Sequence, residues 1–168
     1  MRDLLKKVLL FLKGRVFRPT ELSKESFIEL SKKGNIKKIL FVDGGNAELC
    51  KSSDFSLHFV KLCGVIYGEK KKIEKMEGFI LADVSDSRAN IKFFNLGIDD
   101  KLVFDYNDFQ DLSGVASTAR KIAELELARN LLQSVDLVVL DGSLKSKNRY
   151  EQAYIDALLN DGKRFGKA

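Results

Sequence analysis

Apolar residues recur along this chain with two different periods, and the switch between them predicts the order of elements. Leu4, Leu5, Val8, Leu9 and Leu12 fall at helical spacing between lysines, which predicts a basic amphipathic helix. The stretch TELSKESFIELSKKGN predicts a second helix, capped by Thr20 or Ser23 and stopped at Gly34-Asn35. A strand then runs from Lys38 to Val42 and ends in Asp43-Gly44. The polar stretch NAELCKSSD reads as a loop. Phe55 to Lys72 is β-branched, aromatic and partly alternating, and so predicts a strand. YGEKKKIEK is a charged connection, MEGFILADVSD a further strand, and ANIKFFNLG a short one. The acidic IDDKLVFDYNDFQDLSG reads as irregular. From Leu112 to Ser134 the period turns helical, with Ala and Leu dominant. Leu137 to Leu140 then form a strand that ends in Asp141-Gly142, and the tail carries a short helix ending at Asp161-Gly162.

Two helices, a strand, an antiparallel run, a long helix and a final strand predict an α/β fold. An N-terminal helical extension (residues 1–36) precedes a core (residues 37–168). A helix between two strands of one sheet implies a right-handed crossover to a parallel neighbour. That crossover brings Asp43 and Asp141 to the same sheet edge, where ligands bind in open α/β sheets.

Composition narrows the classes. Forty-five per cent hydrophobic residues suffice for a buried core, so a disordered chain is excluded. The balance of 29 Lys+Arg against 24 Asp+Glu fits an anionic partner without demanding one. Cys50 and Cys63 form no CxxC pair, which argues against a disulfide framework or a structural zinc site and for a reducing, cytoplasmic setting. The single histidine, His58, sits in an alternating run and reads as a strand residue. The N-terminal apolar stretch is too short for a membrane span and lacks a cleavage site, so the helix is expected to pack on its own domain or on a partner and no membrane partner is expected, membrane-surface binding being the weaker option.

One residue of the long helix stands out. With Ile122 as origin, Glu124 falls at about 200°, between Leu131 at about 180° and Ala128 at about 240°. Glu126, at about 40°, lies on the polar side beside Gln133. A carboxylate on a core-facing arc pairs with a cation, is protonated, or binds metal. Lys121 lies on the same arc and could snorkel or pair with an acid. An ion pair at a helix–sheet boundary would explain Glu124, just as turn residues would explain each Asp-Gly. Taken together, Asp43, Glu124 and Asp141 make a three-carboxylate cluster. Its repulsion calls for a cation, and all-oxygen ligands favour Mg²⁺ or Mn²⁺. Such metals activate water against a phosphodiester. Lys145, Lys147 and Arg149 follow and suit phosphate contacts, although a solvated turn has the same composition.

FVDGG (Phe41 to Gly45), ARKIAELELA (Ala119 to Ala128) and LVVLDGSL (Leu137 to Leu144) together resemble the NurA nuclease family of archaea and some bacteria. The resemblance covers roughly residues 38 to 150. It implies an RNase H-like mixed sheet flanked by helices. It also implies a Mn²⁺-dependent (or Mg²⁺-dependent) DNA nuclease with 5′→3′ exonuclease and single-strand endonuclease activity. Such nucleases act as homodimers on a hexameric HerA-type ATPase in double-strand-break end resection. Asp43 and Asp141 then correspond to the strand ligands and Glu124 to the helix glutamate, with Glu126 as fallback. Family members are usually longer and carry late polar residues, for which Tyr150, Tyr154 and Asp156 are the candidates here. That difference supports a second expectation, a weakly active or inactive adaptor that docks on the ATPase or needs a second chain.

Overall fold

The structure, a computed structural model, describes residues 36–98, 101–141 and 144–166. The two helices expected before residue 36 lie outside the described residues. Its frame is a curled six-stranded mixed sheet with two helices on one face, an α/β architecture.

Strand β1 (Ile39–Lys51) starts at the predicted place but does not stop at Asp43. It continues because β2 (Phe55–Tyr67) pairs with it along its length, with Asp43 opposite Cys63, Gly44 opposite Leu62 and Asn46 opposite Val60. The polar stretch read as a loop is therefore strand, interrupted by a register shift between Glu48 and Cys50. Strand β3 (Lys72–Ser85) pairs antiparallel with β2, and β4 (Arg88–Phe94) pairs antiparallel with β3. The turn between β3 and β4 is Asp86-Ser87. Both residues have positive φ (49° and 62°), the geometry whose twist matches a tight hairpin. Strand β5 (Leu102–Asp105) lies inside the segment expected to be irregular and pairs with β4. Helix α1 (Leu112–Leu131) is capped by Asp111, whose side chain accepts from the Gly114 N–H at 2.8 Å. It leads to β6 (Leu137–Leu140), parallel to β1, so the sheet order is β5-β4-β3-β2-β1-β6.

Helix α2 (Arg149–Phe165) begins at Asn148, whose side chain accepts from Tyr150 N and Glu151 N. It runs past the predicted stop at Asp161-Gly162 and ends at Gly166, which has a φ of 62°. Gly162 is buried inside the helix. Helix α1 packs on β1, β2 and β3, and α2 packs on α1. Being covered on both sides, α1 buries residues around most of its circumference, from Val115 and Ala119 to Leu125 and Leu127. A helix packed on two sides lacks a single clean apolar stripe. The core lies between α1 and the inner face of the sheet, where Leu40, Val42, Val60, Leu62, Ile80 and Ile91 meet Ile122 and Leu125.

No described element covers the other face of the sheet. Phe41, Tyr67, Phe79, Phe94 and Val103 are exposed there, each at least 40% accessible.

Candidate functional site

The ladder register fixes which residues stand side by side on that open face. Leu40 and Val42 point to α1, so alternation sends Phe41 and Asp43 the other way. β6 pairs with β1 as far as Leu140 opposite Val42, and Asp141 N–H then donates to the Val42 carbonyl at 3.2 Å. Asp141 thus sits beside Asp43. Both are exposed and line a cavity of about 440 Å³ with Phe41, Cys63, Val65 and Val139. The row continues across β2 and β3 through Cys63 to Lys75. It lies where β1 has an antiparallel partner on one side and a parallel partner on the other.

Glu124 is not on this face. A Cβ on Gly44 would meet Glu124 Oε1 at 2.7 Å, so the carboxylate lies under the inner face of β1. Glu124 is buried (3% accessible) and lies between Arg120, which forms an ion pair with Oε1, and Lys121, whose Nζ donates to Oε2 at 3.2 Å. Burial pushes its pKa upward, Arg120 and Lys121 pull it back, and the nearby Asp43 charge adds a smaller upward push. Both cations also reach main-chain oxygens. Arg120 Nη1 donates to Gly44 O at 2.6 Å and Lys121 Nζ donates to Asp141 O at 3.3 Å. Glu124 therefore anchors a clamp that holds the backbone next to Asp43 and at Asp141.

The structure brings Asp43 and Asp141 together and sets Glu124 apart, behind the sheet. Among the described residues, no group of three or more His, Cys, Asp or Glu side chains converges as a metal cage. Two neighbouring carboxylates still suit one hard divalent cation. Mg²⁺ characteristically takes one or two protein carboxylates and completes its shell with water and substrate phosphate. Glu126 is occupied by Arg129 at 2.6 Å.

The basic run separates too. Lys145 and Lys147 are exposed in the segment after β6. Arg149 opens α2 at the far side of the sheet, where it pairs with Asp108 at 2.8 Å and approaches Asp105 at 3.9 Å. Tyr150 accepts from Asp105 N–H at 2.6 Å and stacks on Phe104, covering β5. Asp156 accepts from Gln152 on its own helix at 2.8 Å, and Tyr154 packs against the core. Tyr150 and Tyr154 thus build the α2 packing, and Asp156 lies on the exposed side of that helix. The role of Arg120 was missed from sequence, although its spacing of four from Glu124 is the ion-pairing spacing of a helix. Lys121 takes the acid-pairing option expected of it.

A second polar cluster occupies the other end of β1. His58 is buried; Asn46 Nδ2 lies 3.0 Å from its Nδ1, and Glu48 Oε2 lies 4.0 Å from its Nε2. Burial lowers its pKa, Glu48 raises it and Lys51 lowers it. Among the described residues, Nε2 and the Ser56 hydroxyl have no hydrogen-bond partner.

No family model, curated protein or solved structure matches this chain.

Proposed function

We propose that this chain is a divalent-metal-dependent DNA nuclease built on an RNase H-like core of the NurA kind. The observation that carries the reading is the placement of Asp43 on β1 beside Asp141 at the end of the parallel strand β6, both open to solvent, while β2 continues to pair antiparallel on the other side of β1. The order β3-β2-β1-β6, with α1 crossing over the sheet, supports an RNase H-like arrangement. Asp43 and Asp141 would hold Mn²⁺ or Mg²⁺. When bound, such an ion polarises a phosphoryl oxygen and lowers the pKa of an attacking water. The clamp of Glu124, Arg120 and Lys121 fixes the main chain that presents the two aspartates. Lys145 and Lys147, just beyond Asp141, contact phosphate. Work as a homodimer on a HerA-type ATPase, in the cytoplasm, belongs to the same proposal. No described helix is long and apolar enough to cross a membrane.

The test is cleavage of a 5′-labelled single-stranded oligonucleotide by the full chain with Mn²⁺. Asp43→Asn and Asp141→Asn should each reduce the rate at least a hundredfold while leaving the thermal midpoint within a few degrees. Undiminished cleavage by both variants refutes the reading.

One observation favours a second reading, the weakly active or inactive adaptor. Glu124 is neutralised by two cations rather than facing the aspartates. Co-elution with a HerA-type ATPase on size exclusion, with no Mn²⁺-dependent cleavage by the complex, would select the adaptor.

A further inference from the structure

The open face has a corner that the aspartate pair does not explain. Phe41 and Tyr67 project there, 42% and 48% accessible, with ring centroids 5.7 Å apart and planes at 89°. Lys71 Nζ stands 5.3 Å from the Tyr67 ring centroid. Lys70 lies beside it in the β2–β3 turn, and Lys75 lies in the same ladder row as Asp43, beyond Cys63. Other lysines of these strands are neutralised, Lys61 by Glu77 at 2.7 Å and Lys72 by Glu74 at 2.6 Å. No ion pair engages Lys70, Lys71 or Lys75 among the described residues.

This local excess is not a by-product of overall charge. Nine of the 29 Lys+Arg and four of the 24 Asp+Glu lie in residues 1–35, which leaves twenty of each sign in residues 36–168. In a balanced core, three unpaired lysines around two exposed rings make a selective feature. Exposed aromatic faces accept bases of any sequence, and flanking cations follow the backbone. Phe41 and Asp43 are two residues apart on one face of β1, about 7 Å along the strand. A base stacked on Phe41 therefore puts the adjoining backbone over the aspartate pair.

We propose that Phe41, Tyr67, Lys70, Lys71 and Lys75 form a binding surface for single-stranded nucleic acid, with bases on the rings and phosphates on the lysines. This surface leads the strand to Asp43 and Asp141, and in that respect it rests on the nuclease reading.

Fluorescence anisotropy of a labelled fifteen-residue oligo-dT with the full chain in EDTA tests it without any cleavage. Phe41→Ala and Tyr67→Ala should each raise Kd at least about fivefold, and Tyr67→Phe should leave it unchanged. Replacing Lys70, Lys71 and Lys75 with Glu should reduce the slope of log K against log salt by about 2, since each phosphate contact on a single strand contributes about 0.7. Circular dichroism of every variant confirms folding. Unchanged Kd in both variant sets overturns the proposal. So does lysine-dependent binding to phosphatidylserine vesicles without oligonucleotide binding. So does a shift from dimer to monomer in the ring variants at constant Kd. The nuclease reading fails separately, if Asp43→Asn and Asp141→Asn go on cleaving whatever the corner variants bind.

Discussion

Gly44→Ala and Gly45→Ala are neighbouring one-carbon changes, and the structure predicts opposite outcomes. A Cβ on Gly44 would lie 2.7 Å from Glu124 Oε1, 2.7 Å from Leu62 Cδ2 and 2.9 Å from Glu124 Cγ. A glutamate tip normally swings aside at little cost. Here Oε1 is paired with Arg120 and Oε2 with Lys121, so moving it breaks a buried ion pair. Overpacking of this kind costs about 1–3 kcal/mol. The reduced freedom of the unfolded chain returns about 0.4–1 kcal/mol. The net loss is therefore about 1–2 kcal/mol, a fall in Tm of about 3–6 °C for a domain of this size. Gly45 faces the open side, and its Cβ would meet no atom of the described residues within 4 Å. Gly45→Ala should stay within about 0.5 kcal/mol of the parent. Thermal and urea unfolding followed by circular dichroism compare the two. Coupling provides a further check, because in a Glu124→Ala background the share of the Gly44→Ala cost that comes from Glu124 should vanish, while the share from Leu62 Cδ2 stays. Equal midpoints for the two alanine variants, or a larger loss at Gly45, would refute the placement of Glu124 beneath Gly44.

Two other sites give independent tests. His58 is held neutral by burial, its folded pKa lying below the ordinary value of 6.5, so its contribution to stability is complete above that value and is lost as pH falls through the folded pKa. The urea midpoint should fall between pH 7.5 and pH 5 more steeply for the parent than for His58→Gln, and parallel slopes would sink this account. At Gly78 a Cβ would overlap the Phe94 carbonyl oxygen and meet Leu96 Cγ at 2.9 Å. Since backbone cannot swing aside, Gly78→Ala should cost more than about 3 kcal/mol and lower soluble yield sharply; a midpoint near the parent's would show that the β3–β4 ladder is looser than described.

How much of this was legible in the sequence depends on the face in question. The strand Leu137–Leu140, the long helix from Leu112 and the parallel crossover could be read because each rests on a strong period or on chain order. The extension of β1 through Asn46 and Glu48 could not. β6 has ended by then, residues 45–51 are exposed, and polar composition is what an exposed strand has in common with a loop. β5 was hidden for a related reason: four residues between acidic neighbours give too short a run to establish a period. Gly162 looked like a helix stop but lies buried inside α2, where the absence of a side chain suits close packing.

The candidate site shows the deeper limit. Ile39, Leu40, Phe41 and Val42 are all apolar, which is the signature of a strand covered on both faces and carries no alternation. Yet only Leu40 and Val42 reach the core, while Phe41 stands 42% exposed on the open side. Without alternation, nothing in the sequence tells whether Asp43 or Gly44 faces the helix, and a one-residue difference moves the carboxylate from one side of the sheet to the other. The wheel placed Glu124 on a buried arc, and it is buried. The strand end placed Asp43 beside Asp141, and they are neighbours. What joined the three into one cluster was the assumption of a shared face. With the faces assigned, the cost of burying Glu124 is offset by Arg120 and Lys121, and those two cations tie the glutamate to the carbonyls of Gly44 and Asp141. The exposed apolar residues that erased the alternation, Phe41 first among them, lie on the face that no described element covers. A strand end that is apolar on both faces and closes on a carboxylate therefore has the composition of a doubly covered strand and the exposure of an open one, and only the burial of each residue tells the two apart.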